Sequence, residues 1–186
     1  MSYFPAFIQL DGKKVLLVGG GNIAYEKLEK LLHFTQDILI ISPKFSNEMR
    51  AEIQKKNLNF KERNYEVGDI KEFSMVIVAV DSIELQKQIF IESKNYNCLC
   101  NSVDSVEYCD FIFPSFIKKD DLTLAISTSG SSPAFAKHFK KYLSNLIPEG
   151  ISEFLKEMKT LRQTLPKGKE RMKILDEKAN DYVSKL

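Results

Sequence analysis

Lys13-Lys14-Val15-Leu16-Leu17-Val18-Gly19-Gly20-Gly21-Asn22-Ile23-Ala24 is the stretch from which the rest of the chain can be read. A short leucine- and valine-rich run, too short for a helix of ordinary length, breaks into three glycines and then into residues with helical spacing. That order predicts strand, tight turn and helix. The pattern is G-x-G-x-x-A: Gly19 permits the sharp turn, Gly21 leaves no Cβ between the backbone and a pyrophosphate, and Ala24 lets the helix pack closely on the strand. A helix opening at Asn22 and Ile23 turns its unpaired N–H groups and positive dipole end toward those phosphates. The stretch reads as a dinucleotide site.

Its surroundings extend the reading. Leu28, Leu31 and Leu32 continue the apolar stripe begun by Ile23 and Ala24, and a second strand, Asp37 to Ser42, follows at the spacing of a βαβ unit. There is no G-x-x-x-x-G-K-[ST], so a nucleoside triphosphatase has no support. A dinucleotide fingerprint expects an acid about 20 residues past the glycines to hold the ribose 2′-hydroxyl. Here the second strand ends in Ser42-Pro43-Lys44. A hydroxyl followed by a cation suits a ribose and also tolerates a 2′-phosphate, so these residues leave NAD and NADP both open.

A chain of 186 residues has room for one main domain and a small companion. With 44% hydrophobic and 28% charged residues it is neither disordered nor a membrane protein in composition, and a net charge of +2 is too weak to argue for nucleic acid. No apolar run approaches the roughly 18 residues that span a bilayer. The start, Met1 to Phe7, has neither the cations nor the long apolar segment of a signal peptide, so none is expected. Cys98, Cys100 and Cys109 are odd in number and lack zinc-ribbon spacing; they read as free thiols, with Cys98 and Cys100 on one face of a strand, and suit a reducing cytoplasm. No metal ligand set is expected, and His33 and His138 read as surface or packing residues.

Along the chain, residues 3–10 are expected to pad the sheet edge before the Asp11-Gly12 turn. A helix from Ser46 to Lys56 and a strand within Leu58 to Tyr65 follow, then the fully apolar run Met75 to Val80, which reads as a central parallel strand. In an open α/β sheet the crevice lies outside the carboxyl ends of the strands. This puts Asp81 beside the cofactor, unless it merely caps the helix Ser82 to Lys94. Cys98-Leu99-Cys100-Asn101-Ser102-Val103-Asp104 repeats the pattern, so Asn101 and Asp104 face the same crevice. An acid there could move protons or hold a metal, or could simply form a turn.

Two further strands, Phe111 to Ile117 and Leu122 to Thr128, are joined by Lys118-Lys119-Asp120-Asp121 as a hairpin. Ser129-Gly130-Ser131-Ser132-Pro133 then opens a helix over Ala134 to Leu146. Beyond Pro148-Glu149-Gly150, Ile151 to Thr164 and Lys169 to Leu186 read as two amphipathic helices. The fold class expected is α/β: a Rossmann-type parallel sheet (1–113), a small α+β dimerisation region (114–147) and a C-terminal helical segment (148–186).

Four pieces of this sequence, in order, resemble one family: the precorrin-2 dehydrogenases of siroheme biosynthesis, including the amino-terminal part of the multifunctional siroheme synthases. Phe4-Pro5-Ala6-Phe7 with Leu10 resembles its opening, and Val18 to Ala24 with Lys27 its VGGGxVAxxK. Asn101-Ser102-Val103-Asp104 resembles its NxVD. Phe111 to Pro114 with Ile126 to Pro133 resemble its FIxP and STxGxSP. The resemblance implies an NAD-dependent oxidation of precorrin-2 to sirohydrochlorin by a homodimer, with insertion of ferrous iron in some members.

It also implies site residues. Asn22, Ile23, Pro43 and Lys44 match cofactor-contacting places alongside Gly19, Gly21, Ser42 and Asp81, and relatives that also lack the acid after strand two favour NAD. Asp104 matches the essential acid. Asn101, Thr128 and Ser132 match substrate-binding places, Thr128 standing where a relative carries a modifiable serine. Lys118, Lys119, Lys137, Lys140 and Lys141 could attract a carboxylate-rich substrate or form a solvated face. Two features depart from the family: Val80 precedes Asp81 where a threonine is usual, and the segment after Gly150 is short and lysine-rich. A chain of this length is not expected to carry a fused methyltransferase. The alternatives are a non-catalytic NAD(H)-binding regulatory module and a chelatase without oxidation.

Overall fold

The computed structural model describes residues 3–186. Contacts divide the chain into two compact units that meet between Ile112 and Phe113. In the first, five parallel strands are joined by helices, except that a loop links β3 to β4: β1 (Val15–Val18), α1 (Asn22–Leu31), β2 (Ile38–Ile41), α2 (Asn47–Lys56), β3 (Asn59–Lys61), β4 (Met75–Val78), α3 (Ile83–Asn95) and β5 (Leu99–Ser102). The strand order is β3-β2-β1-β4-β5. The chain winds one way from β1 and then the other, so the sheet reverses between β1 and β4, as in a Rossmann-type fold.

The central strands are continuous apolar runs because both faces of the sheet are covered. Val15 to Val18 and Met75 to Val78 are all buried. Leu16, Val18, Ile41, Val76, Val78, Cys98 and Cys100 share one core cluster with Tyr65, Ile70 and Ile89. The alternate positions, Val15, Leu17 and Ile77, point to the opposite face. On α1 the buried residues Ala24, Leu28 and Leu31 form one helical stripe. The edge strand β3 is exposed and ends in Lys61, a charge that discourages edge-to-edge pairing. Residues 3–10 correct one expectation: they form no regular element, and Phe4 and Phe7 are 89% and 77% exposed. Their aromatic rings are largely open to solvent.

Serines start three of the helices. Ser46, Ser82 and Ser132 accept from the backbone N–H groups of Met49, Leu85 and Phe135. The cap of α3 is therefore Ser82, and the reading of Asp81 as that cap is corrected. Between β3 and β4 a loop is locked by side chains. The Tyr65 hydroxyl and the Gly68 N–H donate to the buried Glu92 carboxyl at 2.9 and 2.7 Å. Arg63 grips the Asp69 carboxylate with two bonds of 2.7 and 2.6 Å.

The second unit holds the antiparallel pair β6 (Ser115–Lys119) and β7 (Leu122–Ile126), then α4 (Pro133–Leu146), α5 (Ile151–Thr164) and α6 (Lys169–Val183). Lys119 pairs with Leu122, leaving a two-residue turn whose Asp120 has φ +48°. A positive φ at the first turn position suits the twist of a hairpin. Here α4 packs on β6, α5 on β7 and α6 on α5, the last with Phe154 and Tyr182 stacked at 3.9 Å. The hairpin, α4 and the last two helices thus belong to one unit. Among its described apolar side chains, Ile117 and Ala136 are the buried ones.

The Arg63 guanidinium beside Asp69 holds that carboxyl below the usual carboxylate range; burial opposes it and the Glu66 N–H assists. With the folded pKa below the unfolded one, the contribution is complete above the unfolded value of about 4 and is lost as pH falls through the folded value. Asp69→Asn is therefore expected to lower the urea midpoint at pH 7, with the gap to wild type closing as the pH drops below about 4.

Candidate functional site

Strand register decides which loops gather. Val18 pairs with Ile41 on one side and Val78 on the other, and Val78 pairs with Ser102. Gly19, Ser42, Ala79 and Val103 are therefore level, and the loops they begin share one edge of the sheet. Gly19 to Asn22, Ser42 to Lys44, Asp81, Asn101 and Asp104 all lie along it.

The three glycines do different work there. Gly19 has φ +129°, and a Cβ on it would meet the Ala79 carbonyl oxygen at 2.2 Å. Gly20 faces the other neighbour: its Cβ would lie 2.2 Å from the Lys44 carbonyl oxygen and 2.8 Å from the Ser42 hydroxyl. A Cβ on Gly21 would meet nothing within 4 Å. Gly21 is the N-cap of α1 and no side chain caps that helix. The N–H groups of its first turn accordingly have no side-chain acceptor, beside open space with the positive helix end behind them. A pyrophosphate fits such a cradle.

The flanking residues divide. Asn22, Pro43, Lys44 and Asp81 are exposed, as is the apolar side chain of Ile23. Ser42 is buried, and its hydroxyl donates to the Lys44 carbonyl at 2.7 Å. Its proton is committed to the turn, so Ser42 shapes the loop instead of offering that proton to a ribose. Asn101 is buried at the end of β5, with Nδ2 donating to the Phe111 carbonyl at 2.8 Å. Its Oδ1 is a buried acceptor without a partner. Such an atom costs about 1–3 kcal/mol until a donor reaches it, which suits a site completed by a ligand.

Asp104 stands exposed at φ +63°, a left-handed conformation uncommon for a residue with a Cβ. It lies within electrostatic reach of Lys27 on α1. Burial lowers the Lys27 pKa and Lys30 adds to the effect, while Glu26, Asp104 and Cys109 oppose it. Cys98 and Cys100 are buried thiols, each pushed up to about 12 chiefly by burial. Among the described residues no group of three or more His, Cys, Asp and Glu is placed to hold a metal.

Thr128 and Ser132 come together in the second unit, at the start of α4. The Ser132 N–H donates to Thr128 Oγ1 at 3.1 Å, and Ser132 Oγ accepts from Phe135. Of the lysines, Lys119 donates to the Ile147 carbonyl and Lys140 lies over the Phe116 ring.

A family model described as "Putative NAD(P)-binding" matches residues 6–115. The chain belongs to that NAD(P)-binding family. Among curated proteins it is 33% identical over 151 residues to the siroheme synthase of Pseudoalteromonas translucida, covering 81% of this chain and 32% of that one. It is 32% identical over 156 residues to the siroheme synthase of Photorhabdus laumondii, covering 84% of this chain and 33% of that one. The chain thus spans about a third of the length of these relatives. Among solved structures it is similar to SirC, precorrin-2 dehydrogenase, with a TM-score of 0.79 and 26% identity, covering 94% of this chain and 88% of that one. The first unit of this NAD(P)-binding chain thus has a nicotinamide dinucleotide as its cofactor class.

Sequence reasoning gave no separate role to Gly20 and named Lys27 only as part of a motif. Spacing marks the first and third glycines only; Gly20 is demanded by a carbonyl from another loop. For the separate glycine roles, Gly20→Ala is expected to lose about 1–3 kcal/mol of stability by overpacking. Gly21→Ala is expected to unfold like wild type, because its φ of −86° suits any residue, yet to bind NAD more weakly by about tenfold or more. Urea titration and calorimetric NAD binding check the pair.

Proposed function

We propose that this protein is an NAD-dependent dehydrogenase that oxidises precorrin-2 to sirohydrochlorin in siroheme biosynthesis. The observation that carries the reading is the likeness to a precorrin-2 dehydrogenase along 94% of this chain and 88% of that one. The Asn101-Ser102-Val103-Asp104 motif and the siroheme synthase relatives support it. The reaction needs two departures from substrate carbon and nitrogen: a hydride and a proton. When bound, the dinucleotide supplies the hydride acceptor.

The protein's part is to hold and to deprotonate. The N–H groups at Gly21, Asn22 and Ile23 hold the pyrophosphate, Ile23 offers apolar contact, and Pro43 and Lys44 border the adenosine ribose. Asp104 takes the proton as general base. Asn101, Thr128 and Ser132 are assigned to the substrate. NAD is preferred to NADP on the family resemblance. A cytoplasmic location accords with the free thiols; among the described residues no helix is long and apolar enough to cross a membrane. Ferrous iron is assigned as a second substrate, its insertion using Asp104 to remove pyrrole protons.

A homodimer built through residues 114–147 completes the proposal. On α4, Phe135, Tyr142 and Leu146 are 55%, 59% and 58% exposed, and Phe139 stacks between Phe135 and Tyr142 at 5.3 and 6.2 Å. An apolar row of this kind on a unit with little buried core marks an association surface.

Incubation with precorrin-2 and NAD, with and without ferrous iron, is expected to yield NADH in both arms and siroheme in the second; no NADH from competent substrate rejects the oxidation. Asp104→Ala is expected to bind NAD as wild type does and to lose about 100-fold or more in kcat. Indifference to that change would favour a non-catalytic NAD(H)-binding module. Tyr142→Glu is expected to convert the dimer to monomer in sedimentation.

A further inference from the structure

The segment that carries Asp104 leaves β5 at Ser102 and returns at Cys109. Its neck is tied four ways. Asn101 and Cys109 form an antiparallel bridge, and the Asp110 N–H donates to the Cys100 carbonyl at 2.8 Å. The Cys100 N–H donates to the Asp110 carboxylate at 2.9 Å, and Asn101 Nδ2 donates to the Phe111 carbonyl. Lys94 pairs with the same Asp110 carboxylate. Inside the loop the Val103 N–H donates to the Val78 carbonyl at 2.9 Å and the Tyr108 N–H to the Ser105 carbonyl at 3.0 Å; to these, one sulfur adds contacts on both sides of Asp104.

Cys109 Sγ accepts from the Ser102 N–H at 3.3 Å and from Asn101 Nδ2 at 3.5 Å. Its S–H has two acceptors, the carbonyls of Ser102 at 3.1 Å and Ser105 at 3.3 Å. Ser102 and Ser105 flank Asp104, so one atom bonds the backbone on both sides of the acid. Burial raises the Cys109 pKa, with the Ser102 backbone bond and Lys27 opposing. The thiol keeps its proton at neutral pH and can donate as well as accept. Asp104 sits at φ +63°, a left-handed conformation that aspartate tolerates better than most residues.

We infer that the Cys109 thiol is a positioning residue for Asp104: it clamps the Ser102–Ser105 turn and so fixes where the carboxylate stands. The inference rests on the dehydrogenase reading, in which Asp104 is the base; the thiol takes no part in the chemistry. Alanine removes both halves of the clamp and leaves the buried Ser102 N–H without its sulfur acceptor. Serine keeps a donor and an acceptor at that place, and valine keeps bulk without either.

The test uses the whole chain with Cys109→Ala, Cys109→Val, Cys109→Ser and, as reference, Asp104→Ala. Turnover of precorrin-2 with NAD, calorimetric NAD binding and amide exchange at Ser102 are measured on each. Cys109→Ala and Cys109→Val are expected to lower kcat about 10- to 100-fold, with NAD affinity unchanged and faster exchange at Ser102. Cys109→Ser is expected to recover most of the rate and the protection. Unchanged kcat in the apolar variants overturns the inference whatever the exchange shows, and so does an equal loss in the serine variant. If Cys109→Ala does not fold, the valine and serine variants decide by the same criteria. Absence of turnover in wild type defeats the dehydrogenase reading instead. Exchange then judges the clamp alone: acceleration at Ser102 in Cys109→Ala supports it, and unchanged protection overturns it.

Discussion

Two backbone carbonyls govern the first loop. The Ala79 oxygen presses on Gly19 and the Lys44 oxygen on Gly20, each at a distance where a Cβ would sit only 2.2 Å away. A side chain at either position would push β4 or the β2 loop outward, and the parallel register across β2, β1, β4 and β5 would be strained at its carboxyl end. With both absent, the strand ends stay level and the loops beyond them share one edge. Gly21 alone faces open space. The cradle is a by-product of how tightly its two predecessors are packed.

The chemistry of that edge follows from what is left unpaired. The first turn of α1 has N–H groups without a side-chain cap, and Asn101 keeps a buried oxygen without a donor. Elsewhere in the same unit the Tyr3 hydroxyl and Gln86 Oε1 are also buried without a partner, while the buried or half-buried carboxylates are held. Glu92 is held by Tyr65 and Gly68, Asp69 by Arg63, and the other helices of this unit begin under serine caps. The uncapped turn of α1 and the Asn101 oxygen lie at the same edge of the sheet, where a ligand can meet both.

The second unit is built on a different balance. Its hairpin and three helices leave Phe135, Tyr142 and Leu146 on α4 largely exposed. Apolar surface of this extent is favourable only when covered.

Local chemistry made much of this legible from the chain alone. Apolar runs bounded by glycine, serine and proline mark β1, β2, β4 and β5, helical spacing marks α2, α3 and α4, with Pro133 at the start of α4, and G-x-G-x-x-A marks the cradle. These depend on neighbours within a few residues, so the amino-acid order determines them. Tertiary structure decided what depends on partners distant in sequence. It assigned Gly20 to the Lys44 carbonyl, left Phe4 and Phe7 largely exposed, and bridged Asn101 to Cys109, which sets the sulfur against the backbone on both sides of Asp104. No spacing rule reveals the Gly20 contact, because it is fixed by the level register of parallel strands, which brings together loops that the sequence keeps apart.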